Sequence, residues 1–163
     1  MQRFRLASTE EINYINSMFD AVKVKGKIDG TSDWDEDYPN IDIIAEDIKN
    51  KGLYVLEDQG KVIASISIVE DEPEEIKDLG WERVSSCFLV RLCVAPEYQG
   101  KGIGEQMMKS ISIVAKEKGY KATHHLAADA NKAANRLYRR MGYKDLGLVH
   151  AYETDFVAYE KIL

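Results

Sequence analysis

The stretch "YQGKGIG", residues 98–104, constrains this chain more than any other. Three glycines alternate there, Gly100, Gly102 and Gly104, with an apolar strand-like run before them and an apolar run at helical spacing after them. A glycine inside a helix costs about 1 kcal/mol relative to alanine. Three at a strand-to-helix junction therefore imply a turn whose backbone takes unusual dihedrals or approaches a ligand closely. The start of a helix presents unpaired N–H groups and a partial positive charge, which together suit a phosphate.

Spacing narrows the choice of phosphate loop. A G-x-G-x-x-G turn fails, because the last position is Glu105 counted from Gly100 and Met107 counted from Gly102. No glycine meets G-x-x-x-x-G-K-[ST]. The pattern that remains is Q-x-x-G-x-G, met by Gln99, Gly102 and Gly104.

The apolar periodicity places elements around this turn. Arg3–Leu6 reads as a first strand. Ser8 with Glu11 forms a capping box, and Ile12, Ile15, Phe19 and Val22 recur at helical spacing behind it. Residues 23–39 break that pattern. A second helix is expected near Asn40–Lys51, with Ile41, Ile44, Ala45 and Ile48 on one face and Gly52 as its stop. Residues 53–70 read as a β-hairpin turning at Gln59–Gly60, and residues 71–82 as an acidic connection. Residues 83–94 form a long strand, with Phe88, Val90, Leu92 and Val94 alternating onto one face. The helix after the glycine turn points Ile103, Met107, Ile111 and Val114 inward and ends at Gly119. A short strand follows, then a helix capped by Asn131 or Asp129 and stopped at Gly142, then two closing strands. This order predicts a mixed sheet with helices on its faces, an α/β or α+β single domain over residues 1–163.

Composition excludes several classes. The charged fraction of 31% and mean hydropathy of −0.36 read as soluble and globular. No apolar run approaches the ~20 residues of a membrane helix, and "MQRFRLASTEE" lacks the apolar core of a signal peptide, so the expectation is a cytoplasmic protein with no membrane partner. Cys87 and Cys93, six residues apart, are expected on one strand face as buried thiols that do not pair, and no His/Cys spacing suggests a metal. A net charge of −6 argues against nucleic acid. The charge is uneven: residues 91–144 hold 11 Lys+Arg against 4 Asp+Glu, leaving 11 against 24 elsewhere. The basic segment carries the glycine turn, where an anion is expected.

The glycine pattern after "RLCVAPEY" resembles the acetyl-CoA loop of the GNAT superfamily of N-acetyltransferases. The later stretch "NKAANRLYRRMGYKDLG" resembles the family's C-terminal motif, with Asn131, Ala134, Leu137, Tyr138, Gly142 and Tyr143 at the matching positions. The resemblance implies a mostly antiparallel sheet of six to seven strands with helices on both faces. It implies that the pantetheine of acetyl-CoA runs along the backbone of Leu92, Cys93 and Val94. The pyrophosphate would rest on the amides of Gln99, Gly100, Lys101, Gly102, Ile103 and Gly104, where the Lys101 side chain either adds charge or is simply solvated. Asn131 would hydrogen-bond the cofactor arm or serve as a helix cap, and Tyr138 would be the general acid for the departing thiolate, with the Val94 N–H as oxyanion donor.

The amine acceptor is protonated at neutral pH, so a base is needed. Glu70, taken to share a face with Val62, Ala64, Ile66 and Ile68, is the first candidate, with His124 and His125 as rivals on opposite faces of their strand. By the same resemblance the acceptor wall is "TSDWDEDYPN". There Trp34 and Tyr38 would enclose a small-molecule or peptide amine, and Asp33, Asp35, Glu36 and Asp37 would attract a cation, unless they are only a solvated loop. Tyr152 would line the cleft or a homodimer contact. The resemblance implies one of two functions: an N-acetyltransferase using acetyl-CoA, or a non-catalytic acyl-CoA-binding sensor.

Overall fold

The hydrophobic periods resolve into seven strands and four helices in a computed structural model that describes residues 1–31 and 34–163. In chain order these are β1 (Gln2–Leu6), α1 (Ile12–Asp29), α2 (Ile41–Lys49), β2 (Leu53–Asp58), β3 (Lys61–Val69), β4 (Ser86–Val94), α3 (Ile103–Glu117), β5 (Ala122–Ala128), α4 (Lys132–Arg140), β6 (Lys144–Ala151) and β7 (Thr154–Ile162). They build one sheet ordered β1-β2-β3-β4-β5-β7-β6. Every neighbouring pair is antiparallel except β4 and β5. On one face α1 and α2 cover Leu53, Val55, Val62 and Cys93 with Ile15, Phe19 and Ile44. On the other, α3 and α4 bring Met107, Met108, Ile111 and Tyr138 onto Ile66, Ile68, Leu89 and Tyr159. The mostly antiparallel single domain with helices on both faces is as expected.

Three local expectations change. The first helix does not break at residue 23 but runs to Asp29, carrying a buried Gly26, and ends in a left-handed Gly30. Gly52 is not a left-handed stop; Lys51 takes the positive φ of 56°. Gly52 is required instead by close approach, since a Cβ there would lie 2.5 Å from the Ile68 carbonyl oxygen. The capping box at Ser8 forms, with its N–H and hydroxyl 2.8 and 3.0 Å from Glu11 Oε1, but it closes a short 3-10 turn ahead of α1.

The largest departure is in β3 and β4. The register slips by one residue beside Leu56, so Val62 packs under α1 and α2 while Ala64, Ile66 and Ile68 pack under α3. A second slip sets Ser65 against Cys93 but Ser67 against Val90, which bulges β4 at Arg91, a residue with φ of 56°. One extra residue reverses the alternation of a strand. Leu92 and Val94 consequently share a face with Cys87 and Leu89, not with Phe88 and Val90. Cys87 and Cys93 are both buried and free, but on opposite faces of the sheet.

Candidate active site

β4 and β5 pair only through Ser86–Ala122, Cys87–Thr123 and Phe88–His124, and beyond that rung they separate. The Ala95 N–H bonds back to the Ile63 carbonyl, 2.9 Å away. Successive residues of a strand present their backbone groups to opposite edges, so the N–H and C=O of Val94 face the opening toward β5. Its carbonyl there accepts from Gln99 Nε2 at 2.9 Å, tying the glycine turn to the strand end. A cavity of about 940 Å³ occupies this opening and continues across the sheet edge to the α1–α2 loop.

The glycine turn follows directly. Gly100 and Gly102 have φ of 74° and 82°, conformations that strain any side chain. Gly102 is the residue from which α3 starts. The first backbone bond of that helix is from the Gln106 N–H to the Gly102 carbonyl. Among the described residues the amides of residues 101–105 have no backbone acceptor, the ordinary condition of a helix start and the one that suits an anion. Gly104 is different: its φ is not positive, and a Cβ would meet Leu137 of α4 at an ordinary 3.8 Å. Lys101 is exposed, with its ammonium 5.6 Å from the centre of the Tyr98 ring.

Tyr138, from α4, is buried and lines the cavity. Its ring packs edge-on against His125 at 4.3 Å and Tyr159 at 5.3 Å. Burial, reinforced by Tyr143 and Tyr159, raises its pKa well above the ordinary phenol value, so it stays protonated. The helix that carries it is tied to β5 and β7 by Asn135, a residue the sequence reading passed over. Asn135 accepts from the Tyr159 hydroxyl at 2.6 Å and donates to the carbonyls of Ala128 and Asn131 at 3.0 and 2.9 Å. The one available signal was an Asn in mid-helix, where it is unfavourable without a partner. Asn131 does cap α4, accepting from the Ala134 N–H at 3.1 Å, and it also lines the cavity.

Not every expected residue reaches the site. Leu92 and Val94 line the cavity, whereas Cys93 is paired to Ser65 and buried under α1 and α2. Glu70 is exposed, accepts a hydrogen bond from the Tyr120 hydroxyl and is not part of the cavity wall. The carboxylate from this segment that does line it is Asp71. The histidines divide as expected for adjacent strand residues. His124 points away, 2.7 Å from Glu160 and stacked on Trp81 at 4.1 Å. His125 lines the cavity, with neither ring nitrogen hydrogen-bonded among the described residues. Burial drops its pKa to about 3, so it is neutral.

At the far end Trp34, Tyr38 and Tyr152 all line the cavity. Asp33 lies outside the described residues. Asp35 and Asp29 line the wall, but Asp35 Oδ1 already accepts from the Asp37 and Tyr38 amides, and Asp29 pairs with Lys25 at 3.0 Å. The residue missed there is Arg91. The β4 bulge turns it into the cavity wall, where Asp47 of α2 holds Nε and Nη2 at 2.8 and 2.7 Å and Tyr38 accepts from Nη1 at 3.1 Å. Among the described residues no cluster of His, Cys, Asp and Glu could hold a metal ion, and no helix is long and apolar enough to cross a membrane.

Comparison with known proteins identifies the family and the fold. Residues 49–145, more than half of the chain, match the acetyltransferase (GNAT) domain family. The thialysine N-epsilon-acetyltransferase of Bos taurus is 39% identical over 59 residues, a stretch that is 36% of this chain and 35% of that enzyme. The chain thus spans about a third of that relative's length. The S-alkylcysteine N-acetyltransferase of Bacillus subtilis is 26% identical over 86% of this chain and 78% of its own. Among solved structures, a GNAT family acetyltransferase from Streptococcus agalactiae superposes with a TM-score of 0.85 at 20% identity, over 99% of this chain and 95% of its own. A protein from Salmonella typhimurium solved with its cofactor acetyl-CoA superposes with a TM-score of 0.76 at 15% identity, over 100% of this chain and 94% of its own.

Proposed function

The chain belongs to the GNAT family of acetyltransferases, and we propose that it transfers the acetyl group of acetyl-CoA to a primary amine of a small molecule by direct attack in a ternary complex. The observation that carries this reading is one cavity bounded by both the open edge of β4 at Val94 and the buried ring of Tyr138. The fit to the cofactor rests on the separation of β4 from β5, and on the unpaired amides of residues 101–105 for a pyrophosphate. Acetyl-CoA supplies an activated acyl carbon and a thiolate leaving group.

The protein's part is positioning and charge stabilisation. The Val94 N–H, fixed by the strand, donates to the acyl oxygen as negative charge develops there. Tyr138, kept protonated by burial, gives its proton to the departing sulfur, and the proton that the amine sheds on attack returns the phenolate to phenol. Leu92 and Val94 exclude water from one side, and the cluster of His125, Tyr138 and Tyr159 does so from the other. The names of the related enzymes, one acting on thialysine and one on S-alkylcysteine, support a small amine as acceptor.

The test is amine-dependent release of free thiol from acetyl-CoA, with Tyr138→Phe beside the wild type. The reading expects turnover to fall by roughly 10²–10⁴ in the variant, with the KM for acetyl-CoA within about two-fold. Tight acetyl-CoA binding without thiol release for any amine would refute it in favour of a sensor.

A further inference from the structure

Arg91 occupies an unusual position. It sits at the bulge of β4 in a left-handed conformation, and its side chain crosses to α2 instead of continuing the strand's alternation. Asp47, its partner, is buried and also accepts from the Ser67 hydroxyl at 2.7 Å. The guanidinium is thereby locked in place at the cavity wall, with Tyr38 on its Nη1. A guanidinium has five N–H donors. Three are used here, two on Asp47 and one on Tyr38. Among the described residues one N–H on Nη1 and one on Nη2 have no acceptor. With Tyr38 on the outer Nη1 hydrogen, the two that remain lie side by side on a rigid planar group and can meet the two oxygens of a carboxylate.

The same wall carries acid. Asp29, Asp35 and Asp71 line the cavity, and Lys25 offsets only Asp29. The acceptor end therefore presents a guanidinium with free donors and a separate set of carboxylates. A simple polyamine would be served by the acids alone and would leave the free guanidinium donors without an acceptor.

Resting on the acetyl-transfer reading above, we propose that the acceptor is a zwitterionic amino acid whose carboxylate is bound by Arg91, with Asp47 and Tyr38 as positioning residues. The acidic wall receives its ammonium group before attack.

The experiment compares each amino acid with its decarboxylated counterpart, lysine with cadaverine and S-methylcysteine with 2-(methylsulfanyl)ethylamine, by thiol release from acetyl-CoA. The wild type is expected to favour the carboxylated member of at least one pair by about 10- to 100-fold in kcat/KM. Arg91→Lys keeps the charge but loses the fork. It should raise the KM of that amino acid at least about 10-fold, and leave its decarboxylated partner and acetyl-CoA within about three-fold. Equal or better activity with the decarboxylated amines would overturn the proposal, as would an Arg91→Lys defect equal for both members of a pair, which marks Arg91 as only a tie between α2 and β4. Should no amine release thiol, the acetyl-transfer reading fails instead. Calorimetric binding of the same pairs then decides the carboxylate question: preference for the amino acids that is lost in Arg91→Lys supports it, and no preference overturns it.

Discussion

Between Val94 and Tyr138 the cavity wall is made of backbone amides, apolar side chains and uncharged rings, whereas around Arg91 it is made of a buried ion pair and a row of carboxylates. The first region offers geometry that almost any side chain on β4 would preserve. The second offers chemistry that depends on particular side chains meeting across α2, β3 and β4. The acetyl-CoA proposed above suits the first kind of wall, and its proposed amine acceptor suits the second. This contrast predicts where substitutions act.

The largest effect is expected on the charged side. Asp47→Ala leaves the Arg91 guanidinium without its partner, and breaking such a pair costs about 3–5 kcal/mol. Urea unfolding should report that loss, with a smaller one for Asp47→Asn. A loss under about 1 kcal/mol would mean that Arg91 finds water or another acceptor, and the contrast between the two walls would soften.

The uncharged side has its own pH signature. The His125 pKa of about 3 lies below its ordinary 6.5, so below pH 6.5 the unfolded chain takes up a proton that the folded chain refuses. This group therefore leaves stability intact above 6.5 and removes it as pH falls toward 3, at about 1.4 kcal/mol per pH unit. Comparing His125→Phe with the wild type by urea unfolding between pH 7.5 and 4.5 should show a shallower acid limb in the variant. Parallel limbs would place the proton elsewhere. Glu11, lowered to about 2 chiefly by its hydrogen bonds to Arg5, acts in the same direction in both proteins and cancels in the comparison.

The smallest effect is expected from Glu70→Gln. Glu70 faces Tyr120 and lies off the cavity, so thiol release should stay within about two-fold of wild type. A loss above ten-fold would return Glu70 to the role of base.

What the sequence disclosed follows from how local each feature is. Gly100, Gly102 and Gln99 lie within four residues, and Asn131 and Tyr138 lie at the cap and on the face of one short helix, so two compact motifs carried the family resemblance that pointed to the uncharged wall. Trp34 and Tyr38, singled out because the same resemblance places the acceptor wall at their loop, do line the cavity. Arg91 and Asp47 are separated by 44 positions, and nothing in either neighbourhood announces the pair. The bulge at Arg91 was equally silent: "FLVRLCV" alternates without interruption, and only its pairing with β3 shows the extra residue. That one residue accounts for the misassigned faces of Phe88, Val90, Cys87 and Cys93. The companion slip beside Leu56 accounts for Val62. Glu70 was misplaced for another reason, since it lies just past the last residue of β3, where strand alternation no longer governs direction.

The most direct test of the central claim is residue-resolved amide hydrogen exchange with and without acetyl-CoA. The account predicts slowed exchange at Leu92, Val94 and the amides of residues 101–105, with α2 (Ile41–Lys49) unchanged. Unchanged exchange at Val94, or protection concentrated around α2 and Arg91, would contradict it.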